Sequence, residues 1–159
     1  MTSATKITYT SASGNLDEFH QRFDVGLAAV RAAAGREHRL IERCADMGRV
    51  LHARLAELRD HPLVGDVRGR GLLAGVELVA DRESREPLPR SAAAADALTA
   101  AALDEGLVVW PNTGHADGVN GDLVMLAPPF VITEDQIDEL VSSLGRALAR
   151  VAERLGAAR

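Results

Sequence analysis

Two amphipathic stripes constrain what this chain can become, because glycine and proline cut everything between them into short pieces. From about Arg36 to Arg59, Leu40, Ile41, Cys44, Met47, Leu51, Leu55 and Leu58 recur every third or fourth position, with Arg and Glu on the other side. That spacing predicts a helix with one buried face. His61-Pro62 ends it, since a proline drives the residue before it out of helical geometry. Near the other end, Thr133-Glu-Asp-Gln136 has the spacing of a capping box, with Thr133 as N-cap and Gln136 reaching back to it. Ile137, Leu140, Val141, Leu144, Leu148, Val151 and Leu155 then trace a second stripe. Each stripe needs an apolar surface to cover, and the intervening segments are too short to be anything but strands and one small helix.

Three of those segments, Leu72–Val79, Leu107–Trp110 and Leu123–Leu126, read as short strands. They are closed by turn residues from Asp81, by Pro111 and by Pro128-Pro129. Val67-Arg-Gly-Arg-Gly71 is a glycine-punctuated lead into the first of them, and Gly75 marks close approach of another backbone. Ser91 is the expected N-cap of an alanine-rich helix that stops at Gly106. Upstream, residues 1–16 read as an extended arm, and a helix is expected from about Asp17 to Ala34. The predicted architecture is α+β: a small, mostly antiparallel sheet of about three strands with helices on one face, as one domain over residues 17–159.

Composition narrows the partners. Apolar residues make up 47% of the 159 and charged residues 26%, as in a globular domain able to bury a core. Aromatics are only 3% and the net charge is -5, which argues against stacked bases, phosphate backbones and anionic membranes. No apolar run approaches the roughly 20 residues of a membrane span. The first residues lack a signal-peptide core, and the single cysteine, Cys44, reads as a helix-face filler. A cytoplasmic location without nucleic-acid or membrane partners is the expectation.

Two stretches carry a family resemblance: His61-Pro-Leu-Val-Gly-Asp-Val-Arg-Gly-Arg-Gly-Leu-Leu-Ala-Gly-Val-Glu-Leu78 and Gly121-Asp-Leu-Val-Met-Leu-Ala-Pro-Pro-Phe-Val-Ile-Thr-Glu-Asp-Gln-Ile-Asp138. From about Asp24 onward the chain resembles the C-terminal small domain of class III (fold-type I) pyridoxal-phosphate aminotransferases. The stretch from Glu105 through the loop at His115 is similar to the branch loosely described as omega-transaminases. The resemblance implies transfer of an amino group from an amine or amino acid to a 2-oxo acid, with pyridoxal phosphate as cofactor. It also implies a large domain bearing a lysine that forms an imine with the cofactor, a carboxylate on the pyridine nitrogen and a helix N-terminus for the phosphate. The 159 residues do not include that domain.

The single lysine, Lys6, has nothing around it to desolvate it, so no residue here is assigned catalysis. Pyridoxal phosphate is therefore expected only together with a partner large domain. Thr8, in Thr-Tyr-Thr-Ser-Ala-Ser-Gly-Asn15, is the candidate cofactor-phosphate contact by resemblance to a Thr-Tyr-Ser-Gly-His-Pro-like segment, although the His-Pro is missing. Related enzymes often place an arginine for a substrate carboxylate near the positions of Trp110 and Met125. Both residues are apolar, implying a hydrophobic or stacking wall.

The partner is then a large-domain aminotransferase polypeptide or further copies of this chain. Three functions stay open: a split or truncated aminotransferase inactive alone, a non-catalytic domain for dimerisation or regulation of a complete enzyme, and a small-ligand module. Gly69-x-Gly71-x-x-Ala74 is not read as a dinucleotide fingerprint, because a strand rather than a helix follows the glycines. Arg68 and Arg70 have the chemistry of an anion site, but they are expected to pair with nearby carboxylates such as Asp66 or to cap carbonyls at a domain interface. His115, Asp117 and Asp122 have the chemistry of divalent-metal ligands, but glycine and Asx turns account for that loop without a metal.

Overall fold

A computed structural model describes residues 28, 29, 32 and 39–156. The expected arm over 1–16, most of the expected helix over 17–34, Lys6 and Thr8 lie outside the described residues. Helix α1 spans Leu40–Leu55 and tightens into a 3-10 turn over Ala56–Asp60. His61 then turns extended (φ -69°, ψ 136°), as the following proline demands.

The chain next forms a hairpin of β1 (Val64–Arg70) and β2 (Leu73–Asp81). Arg70 pairs with Leu73, leaving the two-residue loop Gly71-Leu72, whose first residue sits at φ +56°. A hairpin loop of this length needs a left-handed residue at that position, and glycine adopts it without strain. β1 thus corrects the reading of Val67–Gly71 as a mere lead-in. Its alternation is hard to see because only Val64 and Val67 are buried, while Asp66, Arg68 and Arg70 stand on the other side.

A two-residue β3 (Glu86–Pro87) pairs with the end of β2. Helix α2 follows over Ala94–Asp104. Ser91 is not its N-cap: it lies in the 3-10 turn Arg90–Ala92, and the cap position belongs to Ala93, which has no side chain to cap with. The exit is as expected. Gly106 is left-handed at φ +78°, its N–H donates to Leu103 O and the Leu107 N–H donates to Ala102 O, the bond pattern of a Schellman motif.

That motif consumes Leu107, so β4 begins later than the sequence suggests, at Trp110–Thr113. Pro111 lies inside β4 and does not close it. The sheet path runs β1-β2-β5-β4, which makes β4 an edge strand, where a residue without an N–H is tolerated. β5 spans Asp122–Leu126, and among the described residues all pairings are antiparallel and the sheet has five strands where about three were expected.

Helix α3 (Glu134–Leu155) opens on the predicted capping box. Thr133 Oγ1 accepts from Gln136 N at 3.3 Å, and Thr133 N donates to Gln136 Oε1 at 3.0 Å. One face of the sheet, carrying Val67, Ala74, Val76, Leu78, Val124 and Leu126, packs against Leu51 and Leu55 of α1, Leu98 of α2 and Ile137, Leu144 and Leu148 of α3. The helices cover this face, which is the arrangement expected from the two stripes.

Candidate functional site

Register decides what the opposite face presents. In an antiparallel sheet, directly paired residues point to the same side. Arg68 pairs with Gly75, Gly75 with Met125 and Met125 with Trp110, so these four form one row across β1, β2, β5 and β4. The next row is Asp66, Glu77, Leu123 and Asn112. Both rows face away from the helices. The pairing brings Trp110 and Met125 together as cross-strand neighbours: Trp110 is 69% exposed and Met125 half-buried. Leu73, two residues before Gly75 on the same side, is 55% exposed. A recess of about 430 Å³ lies at the end of β5, bounded by Val108, Ala127, Pro128, Pro129 and Ile132.

A charged network begins at Arg68 in the first row and runs into the second. Arg68 Nη1 pairs with Asp66 Oδ2 at 3.1 Å, as expected, and also with Glu77. His115 Nε2 meets the other Glu77 oxygen at 3.1 Å, reaching across β5 from the loop that follows β4. Burial pushes the Glu77 carboxyl up, but hydrogen bonds from Arg68 and His115 outweigh it and hold it below the usual carboxylate range. Its hydrogen bonds to Glu77 and then to Asp66 raise the Arg68 guanidinium. Arg68 is thus neutralised from within the chain and is not free for a substrate carboxylate. Arg70, at the hairpin tip, has no ion-pair partner among the described residues.

A carboxyl whose folded pKa is depressed contributes stability that is present above its unfolded value and lost as pH falls through the folded one. Glu77→Gln is therefore expected to lower stability at neutral pH and to match wild type in acid below its folded pKa. Urea unfolding at a series of pH values from 7 down into acid measures this. A gap that does not narrow anywhere in that series would rule out the charged network as its source.

The three loop residues with metal-ligand chemistry do not converge. Asp117 accepts from the N–H groups of Val119 (2.9 Å) and Asn120 (2.6 Å), an Asx turn. Those bonds lower its pKa, that from Asn120 first. His115 is turned to Glu77. Asp122 is fully buried, and its Oδ2 accepts from Ala95 N at 2.9 Å, so this carboxylate supplies the missing cap of α2 from β5. Gly69 and Gly71 flank the hairpin tip, with strands on both sides, and open no helix. Alternation along β2 from Leu73 assigns Gly75 and Glu77 to the outer face once the strand is read.

The family model described as aminotransferase class-III matches residues 24–148. An uncharacterized aminotransferase of Schizosaccharomyces pombe is 42% identical over 121 residues, 76% of this chain and 26% of the relative. A taurine–pyruvate aminotransferase of Bilophila wadsworthia is 36% identical over 118 residues, covering 74% of this chain and 25% of its own length. Among solved structures, the omega transaminase from Pseudomonas jessenii in complex with PMP is similar with a TM-score of 0.66 and 32% identity, over 79% of this chain and 26% of that one. A transaminase with L-ala gives a TM-score of 0.69 and 35% identity, over 81% and 28%. The chain spans about a quarter of the length of the relatives it matches.

Proposed function

The chain belongs to the class III aminotransferase family, and we propose that it contributes that family's C-terminal small domain to an enzyme whose lysine and phosphate site come from outside these residues. The described residues do not by themselves fit pyridoxal phosphate. No lysine lies among them, the only one being Lys6. The N-terminus of α2, a natural seat for a phosphate, is filled by the Asp122 carboxylate. No step of transamination is assigned to these side chains, and the chain alone is expected to be inactive.

One observation carries the reading: a match to about a quarter of an aminotransferase folds into a closed core that still leaves an apolar row open on its sheet. In the assembled enzyme, Trp110 and Met125 form an apolar wall toward the substrate. The only cation in their row, Arg68, is held by Asp66 and Glu77. An amine without a carboxylate next to this wall fits such a surface better than an amino acid does.

The test is a pull-down with the tagged chain from lysate of the cells it comes from. Recovered polypeptides are identified by mass spectrometry, and the eluate is assayed for pyridoxal-imine absorbance and amine-to-oxo-acid exchange. Recovery of a lysine-bearing large-domain polypeptide with both signals is the expected result. Recovery of a complete aminotransferase whose rate the chain alters would replace this reading with a regulatory one.

A further inference from the structure

The loop between β4 and β5 holds the one Asn-Gly pair of the chain, Asn120-Gly121, and the fold engages each polar atom of the asparagine. Its N–H donates to Asp117 Oδ1 at 2.6 Å, and its carbonyl accepts from Ala116 N at 3.1 Å. In the side chain, Oδ1 accepts from Arg90 N at 3.2 Å and Nδ2 donates to Asp117 Oδ2 at 2.9 Å. Gly121 is equally committed. It is left-handed at φ +91°, a Cβ there would fall 2.8 Å from Ala116 Cβ, and its N–H donates to Leu88 O at 3.0 Å. Only glycine takes that backbone in that space without strain. The loop geometry thus demands glycine after this asparagine, and a chemical liability comes with it. Glycine leaves its backbone nitrogen unhindered, so in an open chain that nitrogen reaches the carboxamide carbon of a preceding asparagine.

We propose that Asn120 is a modification site guarded by its own loop: the closed loop preserves the amide, and opening exposes it to an irreversible conversion that keeps the loop from closing again. In the first step the Gly121 nitrogen loses its proton to hydroxide and bonds to Asn120 Cγ. The Cγ–Nδ2 bond breaks, and the amide nitrogen takes a proton from water and departs as ammonia. Water then opens the cyclic imide. Attack at the side-chain carbon leaves an aspartyl residue, and attack at the backbone carbon leaves an isoaspartyl one, whose main chain runs through the former side chain. Nothing is oxidised or reduced. Native contacts oppose the first step twice: the Leu88 carbonyl holds the Gly121 proton, and Arg90 N and Asp117 fix the carboxamide at both ends. Either product undoes the closed loop. An aspartyl at position 120 sets a carboxylate against that of Asp117 where a donor stood, and like charges repel. An isoaspartyl inserts a backbone carbon between the bonds to Asp117 and to Leu88. The same loop carries His115 to Glu77 and joins the strands of Trp110 and Met125, so its opening reaches the outer face of the sheet.

Peptide mapping by mass spectrometry follows the asparaginyl, aspartyl and isoaspartyl forms of position 120 in the full chain held at mildly alkaline pH. Chain unfolded in guanidinium should convert, and folded wild type should convert at least about tenfold more slowly, because the reaction then waits for local opening. Asn112, followed by the branched Thr113, is the internal standard and should persist in both. Asp117→Ala removes the acceptor of the bonds from Val119 N, Asn120 N and Asn120 Nδ2, and should bring the folded rate toward the unfolded one. Asn120→Asp stands in for the product. In it, amide exchange at Gly114 and Gly121, whose N–H groups close the loop, should quicken about tenfold. Equal conversion of folded and unfolded wild type, a comparison that needs no variant, would overturn the guard. So would an Asp117→Ala chain that melts with wild type and converts no faster. Wild-type exchange at Gly114 and Gly121 in Asn120→Asp would overturn the claim that conversion keeps the loop from closing.

Discussion

Replacing Gly48 with valine is expected to destabilise the domain by about 3 kcal/mol, reversing the usual sign for a glycine inside a helix. At an open helical site, glycine to alanine gains about 1 kcal/mol, because the chain loses less entropy on folding. Gly48 is not such a site. It lies in the buried side of α1, and a Cβ there would sit 2.5 Å from Gly71 Cα and 2.6 Å from Gly71 C and O. The obstacle is backbone, and it has little room to retreat. Gly71 holds the first position of the β1–β2 loop at φ +56°, and its own Cβ direction is closed by Cys44 Sγ at 2.9 Å. Helix and hairpin would have to separate, opening the core around Leu51 and Leu55. Alanine at 48 should already destabilise, and valine more. Gly145→Ala is the control: among the described residues its Cβ would meet only the flexible end of Leu58, at 3.4 Å, so the gain from helix propensity should survive. Urea unfolding of the three variants decides it. A Gly48→Ala chain as stable as Gly145→Ala would mean that α1 does not rest on the hairpin tip.

What the sequence revealed about this fold divides along the range of the interactions involved. The capping box at Thr133, the Schellman exit at Gly106 and the end of α1 at His61-Pro62 are settled within a few residues, and each stands where the pattern places it. The stripe on α3 needs only a period, and Ile137, Val141, Leu144, Leu148 and Val151 are all buried. Errors begin where a distant strand decides. β1 carries so many charges that its two buried valines do not advertise a strand, and only pairing with β2 makes it one. β4 begins three residues later than the local pattern suggests, because Pro111 reads as a stop, while the edge position that makes proline acceptable depends on sheet order. The candidate site suffers the same limit. Trp110 and Met125 were each singled out alone, and the register that makes them neighbours could not be read before β4 and β5 were aligned. The pairing of Arg68 with Asp66 lies two residues away and was foreseen, whereas the Glu77–His115 contact spans 38 residues and was not.

Asp122 shows the same dependence on distant contacts, and its removal is the second large effect. Ala93, at the N-cap position of α2, has no side chain able to accept a hydrogen bond. The Asp122 carboxylate performs that task from β5, 27 residues away, accepting from Ala95 N at 2.9 Å while fully buried. Losing an N-cap costs about 1 kcal/mol, and leaving a buried N–H without a partner can add more, so Asp122→Ala should lose about 2 kcal/mol. Two further contributions set the choice of comparison. A negative charge at a helix N-terminus is favoured by the dipole, yet Asp122 Oδ1 is buried with no partner among the described residues, a cost already carried by the native chain. Asp122→Asn keeps an acceptor for Ala95 and removes the charge together with its desolvation. It should therefore lose less than Asp122→Ala, and the difference between them measures the cap itself. Because Asp122 opens β5 and pairs with Leu78 and Thr113, the loss should also spread to the sheet. Amide exchange should quicken at Ala95 in the first turn of α2 and in β5 together, in Asp122→Ala but not in Asp122→Asn. Faster exchange confined to α2 would mean that the carboxylate caps a helix without tying it to the sheet. An Asp122→Ala chain within about 0.5 kcal/mol of wild type would mean that the bond to Ala95 contributes nothing measurable.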